Sequence, residues 1–466
     1  MVAVPLGLNS YRRRGERNPE ISLLNVLLER DPTNQVDGLV RYQRPALTPF
    51  AVVGTGPIRG VFRRQGVLGS LYLIISGSTL YKINASGAGI IVGAVGAIPG
   101  SDLVSIDGQS DRAIIVANGT AYSTDGSTIT PVNMPGGVSV SSVTWIAGYF
   151  ILTQAVSQRL FWLAPGDVDP DPLNFTSAEN APDNIVCGIR LLDELWVFGE
   201  QTTEVFQVTG NIDAPFMPIG GRLYERGCAN KDTVYALDNT LFWVGNDLIA
   251  YRADTTPIRI SDHSLEERLR NAGPNDLRAW AFELDGHTIY VVRAGAIGTW
   301  ANDIENPTWS QFKSYGFETW RAHIGTQVSG DLVIAGDDSQ GIVWRLDTTV
   351  SNDNGVQIER EVTGGLTVIG APVPCKDFSV RVAVGWAPIT GSAVDPLLQL
   401  RFSDDGGNTW SSWIEASLGR QGQYLTEVVW RQLGILAAPG RIFTVRMTDD
   451  ALFRISFARV NETVSI

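Results

Sequence analysis

The sequence predicts an all-β fold: a β-propeller of about seven blades, a C-terminal antiparallel β-sandwich and an N-terminal arm. A recurring hairpin, the period of its recurrence and a change of pattern beyond residue 350 carry that prediction. Seven times between Leu71 and Leu346 an apolar, β-branched or aromatic run meets a short polar or glycine turn and a second such run. The hairpins read LYLIISGSTLYKI from Leu71, DRAIIVANGTAYS from Asp111, GYFILTQAVSQRLFWL from Gly148 and DELWVFGEQTTEVFQV from Asp193. NTLFWVGNDLIAYR from Asn239, GHTIYVVRAGAIGTW from Gly286 and GDLVIAGDDSQGIVWRL from Gly330 complete the series. Successive starts lie 40, 37, 45, 46, 47 and 44 residues apart, the period of a four-stranded propeller blade. Each unit has room for two more strands, such as PIRGVFRRQG before the first hairpin and SVTWIAG before the third. Seven hairpins imply seven blades, with six blades and an odd hairpin as the other count.

The expected division is an arm over residues 1–50, a propeller over 51–350 and a sandwich platform over 351–466. The arm holds a basic knot, Arg12, Arg13, Arg14 and Arg17, then the apolar run ISLLNVLLERDPTNQ. Such an arm docks on a neighbouring chain or on its own domain, or frays at its tip. Within the propeller, HSLEERLRNAG predicts a helix capped by Ser264, with Glu266 and Glu267 in its first turn and an end at Gly273. APGDVDPDPLNF from Ala164 reads as a projecting loop. Beyond residue 351, Phe378, Val380, Val382 and Val384 alternate with polar or small residues. So do Leu398, Leu400 and Phe402, then Phe443, Val445 and Met447, then Phe453, Ile455 and Phe457. That alternation belongs to antiparallel strands with one wet face.

Composition narrows the function classes. With 44% apolar and 18% charged residues, the chain is a folded protein and not a disordered one. No apolar run is long enough for a membrane-spanning helix, and MVAVPLGLNSYRRR has no apolar core of a signal peptide. Cys187, Cys228 and Cys375 are odd in number and widely spaced, which predicts reduced buried thiols. His263, His287 and His323 are isolated, so no metal site is expected. The net charge of −13 disfavours tight wrapping of nucleic acid, although a weakly repulsive wall suits a passage through which DNA slides. Arginine outnumbers lysine 32 to 4, and its planar fork suits fixed interfaces. Genome base composition produces the same bias.

One local motif is sharp. SDDGGNTW fits an Asp-box through Ser403, Asp405, Gly407, Thr409 and Trp410, a hairpin turn in which a carboxylate gathers backbone N–H groups. The box marks a stable turn, and no catalytic role is assigned to it. Glu200, Glu204, Asp254, Asp303 and Glu305 form no pair by spacing that a glycosidase would need. P-loops, nucleophile elbows, dinucleotide fingerprints and calcium loops are missing, so no catalytic, cofactor or metal residues are expected. Trp145, Trp162, Trp196, Trp243, Trp280, Trp300, Trp309, Trp320 and Trp344 fit blade core better than a sugar-binding array.

Several segments, taken in order, carry a likeness over nearly the whole chain: LLNVLLERDPTNQVDGLVRYQRPALTPF in the arm, RGVFRRQGVLGSLYLIISGSTLYKI in the first repeat, GIRLLDELWVFGEQTTEVFQVTG from Gly188 with GRLYERGCANKDTV, and QLRFSDDGGNTWSSW with GRIFTVRMTDDALFRIS. On these the chain resembles the packaged-DNA stabilisation, or tail nozzle, proteins of short-tailed bacteriophages. The resemblance implies a non-enzymatic virion component made in the host cytoplasm, without cofactor or membrane span. It implies a homohexameric ring below the portal and its adaptor ring, near tailspikes or fibres and a plug or needle. Such a ring extends the channel through which DNA passes, without sequence-specific binding, and helps retain the packaged genome. In that setting the Arg12–Arg17 knot is the expected assembly arm. The alternative from another class is a glycan-binding or glycan-cleaving, sialidase-like propeller, and a third is a generic interaction scaffold.

Overall fold

Each hairpin forms the middle of a four-stranded antiparallel sheet in the computed structural model, which describes residues 2–8, 22–32, 34, 38–84, 87–327, 332–368, 371–388 and 393–461. Seven such four-stranded units occur among the described residues, six as separate sheets and one within a longer sheet, and their inner strands are Ile58–Phe62, Ser105–Gln109, Val140–Ile146, Ile185–Leu191, Tyr235–Leu237, Leu277–Leu284 and Ala322–Gln327. They define blades 1 to 7 of a β-propeller. The hairpins form where two residues suffice to reverse the chain. In blade 2, Asn118 and Gly119 both take positive φ, 48° and 77°, between Ala117 and its partner Thr120. That is the backbone of a two-residue hairpin turn whose twist matches the strands.

Blade strands are apolar on both faces because each is packed between two neighbours. Along Arg112–Ala117, Ala113 and Ile115 face the core shared with blade 1, whereas Ile114 and Val116 face the core shared with blade 3. Leu195 and Val197 of blade 4 likewise look towards blade 3, and Trp196 and Phe198 towards blade 5. Seven inter-blade cores result among the described residues, and an eighth fills the sandwich. A fully buried Leu, Ile or Phe contributes roughly 1.5–3 kcal/mol, so the strength of the ring lies between blades.

Blade 7 is completed from the other end of the sequence. Ala46–Val52 pairs antiparallel with Ile342–Asp347 as the blade's outermost strand, with Leu47 opposite Leu346 and Thr48 opposite Arg345. The expected boundary at residue 50 falls inside this strand. The ring is thereby closed by hydrogen bonds between segments about 300 residues apart in sequence.

The rest of the arm belongs to the platform. One sandwich sheet holds, in order, Val26–Arg30, Leu39–Gln43, Arg454–Val460, Asp377–Val382 and Val428–Arg431, with Val2–Val4 also paired to Arg454–Val460. The other runs Leu23–Leu24, Arg360–Thr367, Gly440–Met447, Leu397–Ser403 and Ile414–Ser417. Phe378 and Phe443 stack between the two, with ring centroids 4.4 Å apart. Leu24 also pairs in parallel with Gln311 of the outer strand of blade 6. A single nine-stranded sheet therefore runs from blade 6 into the sandwich.

Two local expectations change, and the cysteines are as expected. The helix spans His263–Ala272 and is capped by Asp262, whose carboxylate accepts from the Leu265 N–H at 2.9 Å. Ser264 lies inside the first turn, and the C-terminal Gly273 is as expected. In the last strand the inward set shifts at a bulge: Ile455 pairs with Val382 but Phe457 with Arg381, so Ala458 and Val460 enter the core and Phe457 instead lies under the Arg459 guanidinium, 4.4 Å from its ring. Cys187 and Cys228, distant in sequence, share the core between blades 4 and 5, while all three cysteines are free and buried.

Candidate functional site

Among the described residues, buried polar side chains gather at the propeller axis and at the junction with the platform, besides single sites within blades and the sandwich. Residues from all seven inner strands, or from the loops leading into them, wall an axial cavity of about 380 Å³. Lys231, in the turn before blade 5, reaches across it to donate to the Leu103 carbonyl before blade 2 at 3.1 Å, and pairs with Asp232 beside it. Tyr235 of blade 5 donates to the Gly325 carbonyl of blade 7 at 3.2 Å, and burial pushes its phenol up to about 12. These two bonds cross from blade to blade, so the axis is not an open bore.

Away from the Lys231 bridge, Asp107 is buried and accepts from the backbone of Gly108 and Trp145 at 2.7 Å each. Arg64 pairs with it at 2.6 Å. Burial raises the Asp107 carboxyl, opposed first by Arg64. Trp145 meets the guanidinium groups of Arg64 and Arg190, 5.8 and 5.7 Å from its ring. It is half-buried, whereas the other eight blade tryptophans named from the sequence are buried. Close by, hydrogen bonding with Cys228 and then burial hold the Cys187 thiol well above its usual range.

At the junction, Arg44 is completely buried and uses its whole fork. It donates to Asn25 Oδ1 at 2.8 Å, the Pro45 carbonyl at 2.7 Å, the Lys313 carbonyl at 3.1 Å and both oxygens of Asp353 at 3.1 and 2.6 Å. Asp353 also accepts the Leu47 N–H at 2.9 Å, where the closing strand begins. One ion pair thus ties the arm, the propeller seam, blade 6 and the start of the sandwich. Arg41 and Arg360, also fully buried, serve the platform. Arg41 donates to Leu6 and Ser456 carbonyls, and Arg360 to Gln43 and the Met447 and Ala451 carbonyls. Burial lowers Arg360 to about 10. The arginine preference seen in the sequence is used here for internal crosslinks, because a guanidinium satisfies several carbonyls at once.

The Asp-box residues come together as a turn of the sandwich. Thr409 donates to both Asp405 oxygens, from its hydroxyl at 2.6 Å and its N–H at 2.8 Å. Ser403 Oγ donates to Asp405 and accepts from Gly407 N–H, both at 2.8 Å, and Trp410 Nε1 donates to the Gly407 carbonyl at 3.1 Å. These bonds hold Asp405 down at about 2. Trp410 stacks on Arg401 at 4.5 Å, Arg401 on Trp413 at 4.6 Å, and Arg446 on Trp413 at 3.9 Å. Because Arg401 follows the core residue Leu400 on its strand, this ladder covers the outer face of the sheet.

The carboxylates weighed for glycoside chemistry are spread over blades 4, 5 and 6, mostly in local roles. Glu204 is buried and holds Asn180 through its N–H at 3.0 Å and its amide at 2.8 Å. Asp254 caps Thr255, and Asp303 pairs with His287 at 2.8 Å. Glu200 and Glu305 are exposed. Arg12, Arg13, Arg14 and Arg17 lie outside the described residues. Sequence reading missed Arg44, Asp353, Lys231, Asp107 and Arg190. The only available signal was an unusual charge beside strongly apolar runs, such as the arginine in RYQRPAL.

Comparison with known proteins follows the same two-part division. The family model described as Bacteriophage P22 Gp10, β-propeller, matches residues 19–351, and that described as Bacteriophage P22 Gp10, β-sandwich, matches residues 365–463. No curated protein matches the chain. Among solved structures, the extracellular domain of a one-component system from B. thetaiotaomicron is similar at 9% identity and a TM-score of 0.45, covering 90% of this chain and 60% of that one. YCF48 bound to D1 peptide is similar at 11% identity and a TM-score of 0.41, covering 66% of this chain and 98% of that one. PorZ, of the type-IX secretion system of Porphyromonas gingivalis, is similar at 9% identity and a TM-score of 0.40, covering 79% and 46%. Matched in both its propeller and its sandwich, the chain belongs to the bacteriophage P22 Gp10 family of packaged-DNA stabilisation proteins, structural components of phage tails.

Proposed function

We propose that this protein is a non-enzymatic ring subunit of a short-tailed phage tail, seated below the portal and its adaptor. There it extends the DNA channel and helps retain the packaged genome. Family membership across both domains is the observation that carries this reading. The small axial cavity agrees with a conduit formed between copies instead of through one propeller. A net charge of −13 agrees with a wall on which DNA does not stick. A ring needs subunits of fixed shape whose two sides complement each other, and the continuous sheet with the Arg44–Asp353 pair supplies the fixed shape. The arm strands and the sandwich serve as the ring-forming collar in this reading, with the propeller projecting from it. Contacts with the adaptor, with tailspikes or fibres and with a plug or needle belong to the same proposal.

Quantitative peptide mass spectrometry of purified virions tests it. About half as many copies as the portal subunit is the expected ratio, that of a six-fold ring on a twelve-fold portal. Absence of the chain from particles overturns the reading.

A further inference from the structure

The propeller axis has features that a purely architectural core does not need. Its cavity of about 380 Å³ falls within the roughly 300–1,000 Å³ range of small-molecule sites. Lys231 bridges it where the chain enters the inner strands of blades 2 and 5, and Arg64, Trp145 and Arg190 stand towards the strands' other ends. The charges on its lining are Arg64, Arg190 and Lys231 against Asp107 and Asp232, three positive and two negative. The cavity is therefore net positive in a chain of net charge −13. Arg64 is neutralised by Asp107 and Lys231 by Asp232. Arg190 is the remaining cation: it faces the ring of Trp145 and is attracted to Asp107, whose carboxylate Arg64 already pairs. Trp145 is in turn the one blade tryptophan of the nine that the blades do not bury. A low-dielectric, walled cavity strengthens the attraction of such a cation for an anion, and a guanidinium fork matches the two oxygens of a carboxylate or phosphate.

The geometry points to the axial cavity as a binding site for a small molecule carrying a carboxylate or phosphate, with Arg190 pairing its anionic end. This site does not depend on ring assembly. The purified full chain is titrated by calorimetry with inorganic phosphate, citrate and a nucleoside monophosphate, at constant ionic strength set with potassium chloride. The expected result is saturable binding of at least one of the three at one site per chain. Arg190→Gln weakens it about tenfold or more, the effect of losing a charge-assisted hydrogen bond. Arg190→Lys, which keeps the charge and the packing but loses the fork, falls between. Arg30→Gln, at an exposed position on the sandwich, changes nothing. Which anion binds separates a phosphate ligand from a carboxylate ligand. No saturable binding by any of the three overturns the proposal. So does equal weakening by Arg190→Gln and Arg30→Gln, which reports only bulk charge. If Arg190→Gln does not fold, the comparison of Arg190→Lys with Arg30→Gln decides in the same way.

Discussion

Arg44→Ala is expected to loosen the joint between propeller and platform. The side chain is wholly buried and donates five hydrogen bonds, two of them to Asp353, which is 8% exposed. Removing it leaves Asp353 the Leu47 N–H at 2.9 Å and takes a donor from the Pro45 and Lys313 carbonyls, while Asn25 Oδ1 keeps the Lys313 N–H at 2.8 Å. Breaking a buried ion pair by removing one partner costs about 3–5 kcal/mol, because an uncompensated charge stays behind. Arg44→Ala should lose that much in urea unfolding followed by circular dichroism. Asp353→Ala should lose a similar amount, and the double variant clearly less than the sum. Hydrogen exchange should rise at residues 23–25 and 311–313, where Asn25 N–H bonds the Gln311 carbonyl at 2.8 Å. A loss of about 1 kcal/mol or less, as for an exposed pair, or an additive double variant, would refute the assignment of this pair as the joint.

Three further outcomes follow from single contacts. Gly364→Val should expel the N-terminal segment, because a Cβ there would sit 2.0 Å from the Pro5 carbonyl and 2.8 Å from Leu6 Cα; limited proteolysis should then remove residues 1–8 readily. Asp405→Ala should open the Asp-box turn, seen as faster hydrogen exchange at 403–410. Since Asp405 is held at about 2, below its unfolded value near 4, its contribution is present above pH 4 and is lost as pH falls through about 2. The Asp303 hydrogen bond raises His287 above 6.5 against the opposing effect of burial, so the pair's contribution is complete below pH 6.5 and fades as pH rises through the raised value. The thermal midpoint of the wild type should therefore approach that of His287→Asn on the alkaline side, and parallel profiles would show that the pair adds nothing.

The hairpins were legible because they are local. Alternation, two-residue turns such as Asn118–Gly119 and a repeat near 44 residues are written in adjacent positions, so each named hairpin became strands two and three of a blade. The sandwich strands were legible for the same reason, up to the bulge in Arg454–Val460. A bulge adds one unpaired residue, and the sequence does not mark where the partner strand omits its own. The Asp-box was legible as a turn, because a single short segment contains all of its donors and acceptors.

By itself, then, the sequence determined an all-β chain of repeated hairpins and alternating strands, since period and turn chemistry act over a few residues. Tertiary structure alone decided that Ala46–Val52 closes blade 7, that the earlier arm strands complete the sandwich, and that one sheet joins the two. It also decided that Arg44 meets Asp353 and that Lys231 crosses the axis to Leu103. A strand edge accepts any partner with free N–H and C=O groups, and an arginine in sequence reads equally as surface or core. The choice is made by which distant segments can share one buried volume, and that is a property of the assembled fold.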